Sequence, residues 1–564
     1  MLNDLIKSGG RDYEELLKKI LIIIMVTLLV VFILIPVTML LFTLTKDKSG
    51  NYIGFKNVIE YLTSLGFRLS LKNSLFISSI STIISIILAF LYAYGITRTN
   101  IKLKGIYHSL ALLPIFAPTM LYGIALIYLF GNKGFVTMNL GTNLELYGPF
   151  GIIISEIIYT FPQCFLILYM ALKNTDNRLY EAAETLGTSK VKQFFYVTLP
   201  GIKYSLISAI FVAFTLSFTD FGAPKIVGGS FNVLATDIYK QVVGQNNIPM
   251  GATVGMILII PSLLSFIIDR ITNNKVKNST ANGELSPFKI KENKLRDGLF
   301  FVFNSLIALS FLIMIIVVFL AAFIKVWPYN LSLTLDHFNF NTGSGDGFRS
   351  YSNSIIVALL TAIIGTIITF INSYLIEKVK EFKVLRNISY FLSIVPLSLP
   401  GLVIGISYIV FFNNPNNPFN FLYGTVAIVV IGNIIHFYSV PFISSTSNLK
   451  KLSNNFEEAA KTLNIPFYKT ILKVTIPMSL EGILENFMYF FTNSMVTISA
   501  VVFLYSPKFM LATISIVNLD DAGNTAGAAA LASLIILTNI IARIIYECLV
   551  KLIRKNKEKK IKNA

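Results

Sequence analysis

Charged residues are scarce in this sequence. Asp, Glu, Lys and Arg make up only 13% of the 564 residues, while 54% are hydrophobic and the mean hydropathy is +0.69. A soluble domain usually carries about a quarter charged residues, so the shortage argues against a soluble protein and predicts a membrane protein. The net charge of +18 does not indicate a nucleic-acid partner, because the Lys and Arg residues sit in short segments between apolar runs.

The sequence has only two cysteines and no nucleotide-binding motif. Cys164 and Cys548 lie in different apolar runs, and their placement gives neither a disulfide framework nor a metal-binding spacing. No Gly-x-x-x-x-Gly-Lys-Ser/Thr segment occurs that would hold the phosphates of a nucleotide. We therefore expect no catalytic residue, no metal and no bound cofactor in this chain, and we do not expect an enzyme.

Long apolar runs are what the sequence has in abundance. About 20 apolar residues suffice for a helix to cross roughly 30 Å of hydrocarbon. This rule predicts an all-α polytopic membrane protein with about 12 transmembrane helices. The predicted spans lie near residues 20–44, 73–96, 107–130, 151–172, 202–222, 251–269, 298–325, 353–376, 389–412, 423–446, 479–504 and 525–550. The first is too long for a signal-peptide core and is interpreted as a retained span.

Lys and Arg are concentrated in every second loop, and this pattern predicts the orientation of the chain in the membrane. The segments predicted to face the cytoplasm carry most of the Lys and Arg: residues 7–19, 98–104, 173–192, 275–296, 378–386, 450–473 and 551–562. The opposite loops are sparse and mixed in charge, except for the first of them, residues 46–68, which is basic. Both termini are therefore predicted to be cytoplasmic.

The sequence repeats itself at a nearly constant distance. Its third predicted span holds two prolines and a glycine that recur at one identical offset: Pro114, Pro118 and Gly123 return as Pro396, Pro400 and Gly405. Pro162 has a counterpart in Pro441 at a similar distance. Such regular offsets indicate a gene duplication and predict two parallel six-helix repeats.

The repeat also predicts the domain boundaries. The first half covers residues 1–272 with a core at about 70–270, and the second covers 298–564 with a core at about 350–550. Between them, residues 273–297 are polar and are interpreted as a flexible cytoplasmic linker.

One cytoplasmic loop in each half carries the same motif. The first loop contains Glu181, Ala182, Ala183 and Gly187, followed by Leu199 and Pro200. The second contains Glu458, Ala459, Ala460 and Asn464, followed by Ile476 and Pro477. Glu-Ala-Ala is a good helix former, and its small side chains let a partner approach the backbone closely. Glycine, or asparagine as second choice, can end such a helix with a left-handed turn, and the proline is predicted to break the chain before the next span.

The spacing of the two loops adds weight to the motif, because the distance from the glutamate to the proline is identical in both. Each loop is predicted to be a helix-turn-helix that lies against the membrane with its small-residue face turned to the cytoplasm. A pair of amphipathic interfacial helices without a partner would explain one copy, but not two equally spaced copies in equivalent places.

This motif resembles the signature loop of binding-protein-dependent ABC transporter permeases. In that family the loop is a coupling helix seated in the nucleotide-binding subunit, so the resemblance implies two copies of a separate ATPase that binds the ATP. It also implies an extracytoplasmic solute-binding protein, a multi-pass location in the plasma membrane of a bacterium, membrane lipid around the spans and no nucleic acid. The second loop departs from the family pattern at Asn464 and Ile476.

The fused two-copy arrangement resembles the permeases for ferric iron and for 2-aminoethylphosphonate. Residues 217–236 and 497–523 are more similar to the phosphonate branch, so a phosphonate is the expected cargo and Fe3+ is the alternative. Lys225 would offer positive charge to a phosphonate, whereas a ferric ion would need oxygen ligands, and no cluster of carboxylates is apparent within the spans. The pathway candidates are Asp220, Lys225, His436 and Asn493. A solvated loop start is the favoured alternative for Asp220 and Lys225, and interhelical hydrogen bonding is the favoured alternative for His436 and Asn493.

Other polar residues in the spans are costly unless they are paired or face water. Interhelical hydrogen bonding is the favoured interpretation of Glu156, Asn433, Glu481 and Glu485. A rival class, the secondary transporter driven by an ion gradient, also builds twelve spans from repeats. Such transporters usually place ionised residues near the bilayer midplane, whereas the Asp and Glu residues here lie near the ends of the spans.

Overall fold

The computed structural model describes residues 2–141, 145–280, 286–340, 347–463, 465–507 and 509–562. The helices up to residue 280 are α1 (Leu2–Leu29), α2 (Ile35–Thr43), α3 (Lys56–Thr63), α4 (Leu65–Arg98), α5 (Lys104–Leu112), α6 (Thr119–Phe130), α7 (Phe135–Leu140), α8 (Pro149–Lys173), α9 (Asn177–Thr185), α10 (Lys190–Gln193), α11 (Leu199–Thr219), α12 (Gly222–Val227), α13 (Leu234–Tyr239) and α14 (Ile248–Thr280).

The helices of the remainder are α15 (Lys294–Phe323), α16 (Phe348–Glu377), α17 (Lys383–Ile394), α18 (Gly401–Phe412), α19 (Val426–Phe437), α20 (Ser439–Lys450), α21 (Asn455–Thr462), α22 (Phe467–Thr470), α23 (Ile476–Val496), α24 (Ala512–Asp521) and α25 (Thr525–Lys562). A small antiparallel hairpin, β1 (Ile324–Val326) and β2 (Asn330–Leu333), is the exception to the all-α prediction among the described residues.

The number of spans falls slightly short of the predicted twelve. Nine helices of the described residues are long and apolar enough to cross a membrane, and two bent helix pairs raise the number to eleven. The eleventh predicted span corresponds to α23, where Glu481, Glu485, Asn486 and Asn493 lower the hydropathy. The helical membrane fold is thus confirmed, while the cytoplasmic position of both termini stays a prediction.

Prolines break the third and the ninth predicted spans. α5 ends at Leu112, a 3₁₀ turn follows at Leu113–Phe116, and α6 begins only at Thr119. The chain at α17 and α18 has the same design and is bent by 113°. Pro118 and Pro400 each force the preceding residue into an extended conformation, because the proline ring excludes the α-helical region there. These spans are therefore two short helices each, not continuous rods.

The residues fall into two compact units that do not follow chain order. Unit I comprises residues 1–46, 348–512 and 535–564, and unit II comprises residues 47–347 and 513–534. α1 packs in unit I, where Ile22 and Met25 contact Leu375 and Val379. α15 packs in unit II, where Tyr107 and Ser305 share a hydrogen bond of 2.6 Å. The boundaries at 272 and 298 stay a prediction about the sequence repeat.

Small residues dominate the buried face of α4, the main scaffold helix of unit II. Ser74, Ser78, Ser81, Ser85 and Ala89 are all buried along one face, where α4 packs on α8. Lipid tails are as apolar as Leu, so helices associate in a membrane through close packing and hydrogen bonds, and small residues permit both. The Ser85 and Thr160 hydroxyls, 2.7 Å apart, join the two helices.

α16 has the corresponding position in unit I. Its Gly365 faces the ring of Phe490 in α23, and an added β-carbon would lie only 2.9 Å from that ring. Asn372 extends the contact by donating to Tyr438 Oη at 2.9 Å. Each unit therefore has the second predicted span of its repeat at the centre, and the following motif loop is held at the C-terminal end of that helix.

Candidate functional site

The first loop motif forms a short helix with a glycine-dependent end. α9 carries the Glu-Ala-Ala segment. The Gly187 amide donates to the Glu184 carbonyl at 2.9 Å and the Thr188 amide to the Ala183 carbonyl at 3.1 Å. Gly187 has a φ of +69°, a left-handed conformation that costs glycine nothing because it lacks a β-carbon. The two hydrogen bonds form a Schellman end, which satisfies carbonyls that the helix leaves unpaired.

The second loop repeats this backbone design in α21. The Leu463 amide donates to the Ala459 carbonyl and the Ile465 amide to the Ala460 carbonyl, both at 2.9 Å. The bond of Ile465 is the counterpart of the Thr188 bond in the first loop. Asn464 lies outside the described residues, so the predicted turn at this position stays a prediction.

The predicted breaks at Pro200 and Pro477 are wrong. Residues Lys190–Thr219 form one helical run of 30 residues that continues from the loop into the fifth span. A π-helical turn at Phe194–Thr198 precedes Pro200, and an equal turn at Ile471–Thr475 precedes Pro477. The wider turn accommodates the proline ring and its missing N–H, which would otherwise disrupt a regular α-helix. Each loop is thus joined to its span by a continuous helix.

A buried cation supports each loop, and sequence reasoning missed both. Arg98, at the end of α4, is 2% exposed and donates to the Leu172 carbonyl at 2.9 Å. Lys378, just after α16, is 8% exposed and donates to the Leu452 carbonyl at 2.7 Å. In the sequence they stand out only as two of the basic residues of segments 98–104 and 378–386, which are predicted to be cytoplasmic. They are related by nearly the same offset as the repeated prolines, and this was the signal that could have singled them out.

A segment of the predicted linker packs on the first loop. The Asn177 amide donates to the Ser286 carbonyl at 2.9 Å, and the Lys289 amide donates to Asn177 Oδ1 at 3.1 Å. The Phe288 ring lies 3.9 Å from the Arg98 guanidinium and 4.8 Å from the Tyr180 ring. Residues 286–293 are therefore bound to the loop, which corrects their interpretation as a flexible connection.

Charge reinforces this contact. Lys291 Nζ lies 2.6 Å from Glu184 Oε2, and Lys190 binds the other oxygen of the same carboxylate. Hydrogen bonds from Lys190 and Lys291 lower the pKa of the Glu184 carboxyl to about 2. Since the pKa is lowered by folding, this contribution to stability is present above the ordinary pKa of glutamate and is lost as the pH falls towards 2. The contact is thus fully ionised at physiological pH.

We expect the Phe288→Ala variant to release the linker from the first loop. Loss of the ring contacts with Arg98 and Tyr180 removes about 1 kcal/mol or more, or about fivefold in the population of released linker. Trypsin cleavage after Lys289 and Lys291 of the purified permease should accelerate by that factor. Phe288→Tyr keeps the ring and should cleave at the wild-type rate, whereas equal rates for the alanine variant would contradict the packing described.

A large apolar side chain is exposed at the tip of each loop. Leu186 is 81% exposed, and Leu463, at the equivalent position of the second loop, is 69% exposed. Each is the C-cap residue of its helix. Two exposed leucines in equivalent places, on loops joined rigidly to a span, are suited to insertion into a soluble partner.

The pathway candidates have different surroundings. Asp220 accepts a hydrogen bond of 2.9 Å from the Ala223 amide and lies beside Glu156, a neighbour that sequence reasoning did not pair with it. Lys225 Nζ lies 3.0 Å from Asp521 Oδ1 and 5.4 Å above the Tyr239 ring. This lysine is already paired, so its charge is less available to an anionic cargo.

The other two candidates lie in unit I. The His436 ring contacts the Phe437 ring at a centroid distance of 4.4 Å, and its Nδ1 has no partner among the described residues. Asn493 Nδ2 donates to the Tyr489 carbonyl of its own helix at 2.8 Å. Their proposed place in a pathway stays a prediction.

Two interpretations of polar residues in the spans can be compared with the structure. Asn433 Nδ2 donates to Ser494 Oγ at 2.7 Å, which is the expected hydrogen bond between helices. Arg554 pairs with Glu481 at 3.0 Å. Glu156 differs, because neither of its carboxylate oxygens has a hydrogen-bond partner among the described residues.

Each loop continues through an unbroken helical run into a long helix, α11 in the first half and α23 in the second. The family model described as the inner membrane component of binding-protein-dependent transport systems matches residues 81–278 and 374–555. The chain belongs to this family. It is a multi-pass inner-membrane permease of a bacterial ABC transporter, in which a partner ATPase uses the ATP.

Similar proteins include permeases that extend over both halves. A candidate ferric transport system permease of Haemophilus influenzae is 28% identical over 497 residues, 85% of this chain and 77% of that protein. The ferric transport system permease of Actinobacillus pleuropneumoniae is 27% identical over 526 residues, 91% of this chain and 75% of that protein. A homologue of a spermidine/putrescine transport permease in Mycoplasma pneumoniae is 29% identical over 255 residues, 43% of this chain and 86% of that protein.

A solved structure, a bacterial alginate ABC transporter in complex with a periplasmic protein that binds alginate pentasaccharide, also resembles part of the chain. The match covers 50% of this chain and 99% of that chain, at 18% identity and a TM-score of 0.39. At this TM-score the likeness adds nothing to the family assignment.

Proposed function

We propose that this permease carries ferric iron, delivered by an extracytoplasmic binding protein, and that two copies of a separate ATPase drive it from the cytoplasm. The observation that supports the coupling is the pair of loops with an equivalent backbone hydrogen bond, Thr188 to Ala183 and Ile465 to Ala460, and an exposed leucine at each tip. The ATPases dock on these loops, with Glu181 and Glu458 in the docking helices and the exposed Ala182 and Ala459 on their free faces. Ala183 and Ala460 are buried within the chain, so the predicted small-residue face is only partly open to a partner.

Movement reaches the spans through continuous helices. Lys190–Thr219 connects the first loop to the fifth span without a break, so a shift of the loop displaces the whole helix. In the second half the run α22, π-turn and α23 has the same role. ATP binding in the partner subunits shifts both loops and exposes the pathway to the binding protein, and hydrolysis resets it.

The names of the relatives favour iron over the phosphonate expected from sequence segments. The two relatives cited that extend over both halves are named as ferric permeases. The pairing of Lys225 with Asp521 also weakens the argument for an anionic cargo, since that lysine was the main positive group invoked for a phosphonate. The oxygen-lined surroundings of Asp220 are suited to a hard cation.

The cargo can be tested with the cognate binding protein and the reconstituted transporter. Fe3+ should raise the melting temperature of the binding protein, and proteoliposomes with the loaded protein and ATP should accumulate 55Fe. A melting shift with 2-aminoethylphosphonate alone would reverse the ranking of the two cargoes. Accumulation that persists without ATP and follows an imposed ion gradient would instead support a secondary transporter.

A further inference from the structure

Glu156 is an ionisable group in an unusual position. It lies in α8, within unit II, and is 0% exposed. Among the described residues, neither of its carboxylate oxygens has a hydrogen-bond partner, and no basic side chain pairs with it. A buried carboxylate without a donor is strongly unfavourable, so something else must satisfy its charge.

The nearest ionisable neighbour of Glu156 adds negative charge and not positive charge. Asp220 lies within hydrogen-bonding reach of Glu156, and both carboxylates are acceptors when ionised. Like charges at this distance repel, so the pair needs a cation or a shared proton between its oxygens.

Hydroxyl oxygens extend this cluster. Ser217 lies beside Glu156 and Thr119 beside Asp220. The Ser217 hydroxyl is buried and has no partner within the described part of the chain. The two carboxylates and two hydroxyls offer only oxygen ligands, which suit hard cations. The cluster has no sulfur or imidazole ligand, the kinds of ligand that favour zinc or copper. The described residues hold no group of three His, Cys, Asp or Glu that could bind a metal alone, so water or a counter-ion would complete the coordination.

The second half of the chain shows that the fold does not require these carboxylates. At the offset that relates Leu186 to Leu463, the counterparts of Glu156, Ser217 and Asp220 are Asn433, Ser494 and Thr497. Asn433 and Ser494 are joined by a hydrogen bond of 2.7 Å, so the counterpart is neutral and supplies its own donor.

Close contacts confirm this alignment. A β-carbon on Gly222 would collide with Thr119 Oγ1 in the first half. Gly401 is the counterpart of Thr119 at the offset of the repeated prolines, and a β-carbon on it would collide with Ser499 Oγ, the counterpart of Gly222. The same contact therefore exists in both halves. The hydroxyl residue comes first in the first half (Thr119 against Gly222), and the glycine comes first in the second (Gly401 against Ser499). The acidic pair is a feature of the first half alone.

We propose that Glu156 and Asp220, with Ser217 and Thr119, form a cation-binding site for the trivalent metal cargo in transit. The identity of the cation rests on the proposed function, whereas the existence of the site rests on the unpartnered Glu156 carboxylate and on Asp220 beside it. Asp220 is only partly buried and lies where the chain leaves α11, so it is the group that a cation meets first. Glu156 then supplies the second, deeper carboxylate.

The test uses the permease–ATPase complex in nanodiscs and Ga3+, a redox-inert ion with the charge of Fe3+. Calorimetric titration should give one site per chain, and Glu156→Gln and Asp220→Asn should each weaken binding at least about tenfold. The double variant Glu156→Asn with Asp220→Thr copies the second half and should remove binding. Ser494→Ala, which alters only the neutral counterpart, should bind Ga3+ with the wild-type affinity.

Several outcomes would overturn the site. Equal Ga3+ affinity in wild type and the single variants places binding elsewhere. If the wild type does not bind Ga3+ and the Glu156→Gln variant keeps its 55Fe uptake, Glu156 and Asp220 share only a proton. If Glu156→Gln fails to assemble, Asp220→Asn remains decisive, because its amide oxygen still accepts from Ala223 and its position is partly exposed.

The site and the proposed function fail in different ways. If the binding protein delivers no iron but Ga3+ still binds at the acidic pair, the cargo assignment is wrong and the cation site stands. If wild-type 55Fe uptake succeeds and both single variants match it in uptake and Ga3+ affinity, the cargo assignment stands and the site is wrong.

Discussion

Uptake by the reconstituted transporter is expected to fall at least about a hundredfold when Leu186 and Leu463 are both replaced by aspartate. Burial of a leucine in a partner is worth about 1.5–3 kcal/mol, and a carboxylate in the same place adds a desolvation cost. Two loops lose this contribution together, so the ATPase should no longer copurify with the permease. The permease itself should keep its melting temperature, because both side chains are exposed in the isolated chain.

The matched control is Leu333→Asp, which places the same charge on an exposed leucine of β2, a strand that belongs to neither loop. It should leave uptake and ATPase binding unchanged. The single variants Leu186→Asp and Leu463→Asp also test whether the loops are equivalent, since only the first loop is covered by residues 286–293. ATP-driven uptake at the wild-type rate in the double variant would show that the ATPase docks elsewhere.

The second large effect is expected from Arg98→Met. The Leu172 carbonyl would lose the donor that Arg98 supplies, at about 1–3 kcal/mol, and the contact with Phe288 would lose a further 1–2 kcal/mol or so. The loop should then detach from the end of α4. The melting temperature of the purified permease should fall, and ATP hydrolysis by the complex should no longer respond to the loaded binding protein.

Lys378→Met is the matching change under the second loop, where Lys378 also donates to Asn454 Oδ1 at 2.9 Å. The conservative variants Arg98→Lys and Lys378→Arg keep a donor in place and should recover much of the coupling. If Arg98→Met and Lys378→Met melt like the wild type and transport normally, these cations do not support the loops.

The loops could be predicted from sequence because their information is local. A Glu-Ala-Ala helix followed by Gly187 at a fixed distance specifies a helix end through backbone sterics alone, and the spacing recurs in the second half. The bends at Pro118 and Pro400 can also be predicted from the sequence, because a proline restricts the backbone conformation of the preceding residue in any context. The unbroken helices at Pro200 and Pro477 cannot be predicted in this way. A π-helical turn changes the hydrogen-bonding register of the helix without changing the amino-acid composition.

The remaining features depend on residues far apart in the chain. Arg98 meets the carbonyl of Leu172 at the end of α8, and Phe288 of the linker meets Arg98 from still farther along the sequence. Glu156 and Asp220 were each recognised as polar positions, but only the packing of α8 beside the end of α11 brings them together. Periodicity and motif spacing do not encode such pairings.

The exchanged positions Gly222–Thr119 and Ser499–Gly401 set a limit on how the two halves can be recombined. Consider a hybrid that keeps Thr119 but replaces α11 and the residues after it by α23 and the residues after it. Ser499 would then lie against Thr119, and two side chains with a hydroxyl would compete for a space that holds only one. The reverse hybrid would pair two glycines and leave a hollow. The duplicated helices have thus diverged into matched sets, and a chimera is expected to assemble only when both members of each contact are transferred together.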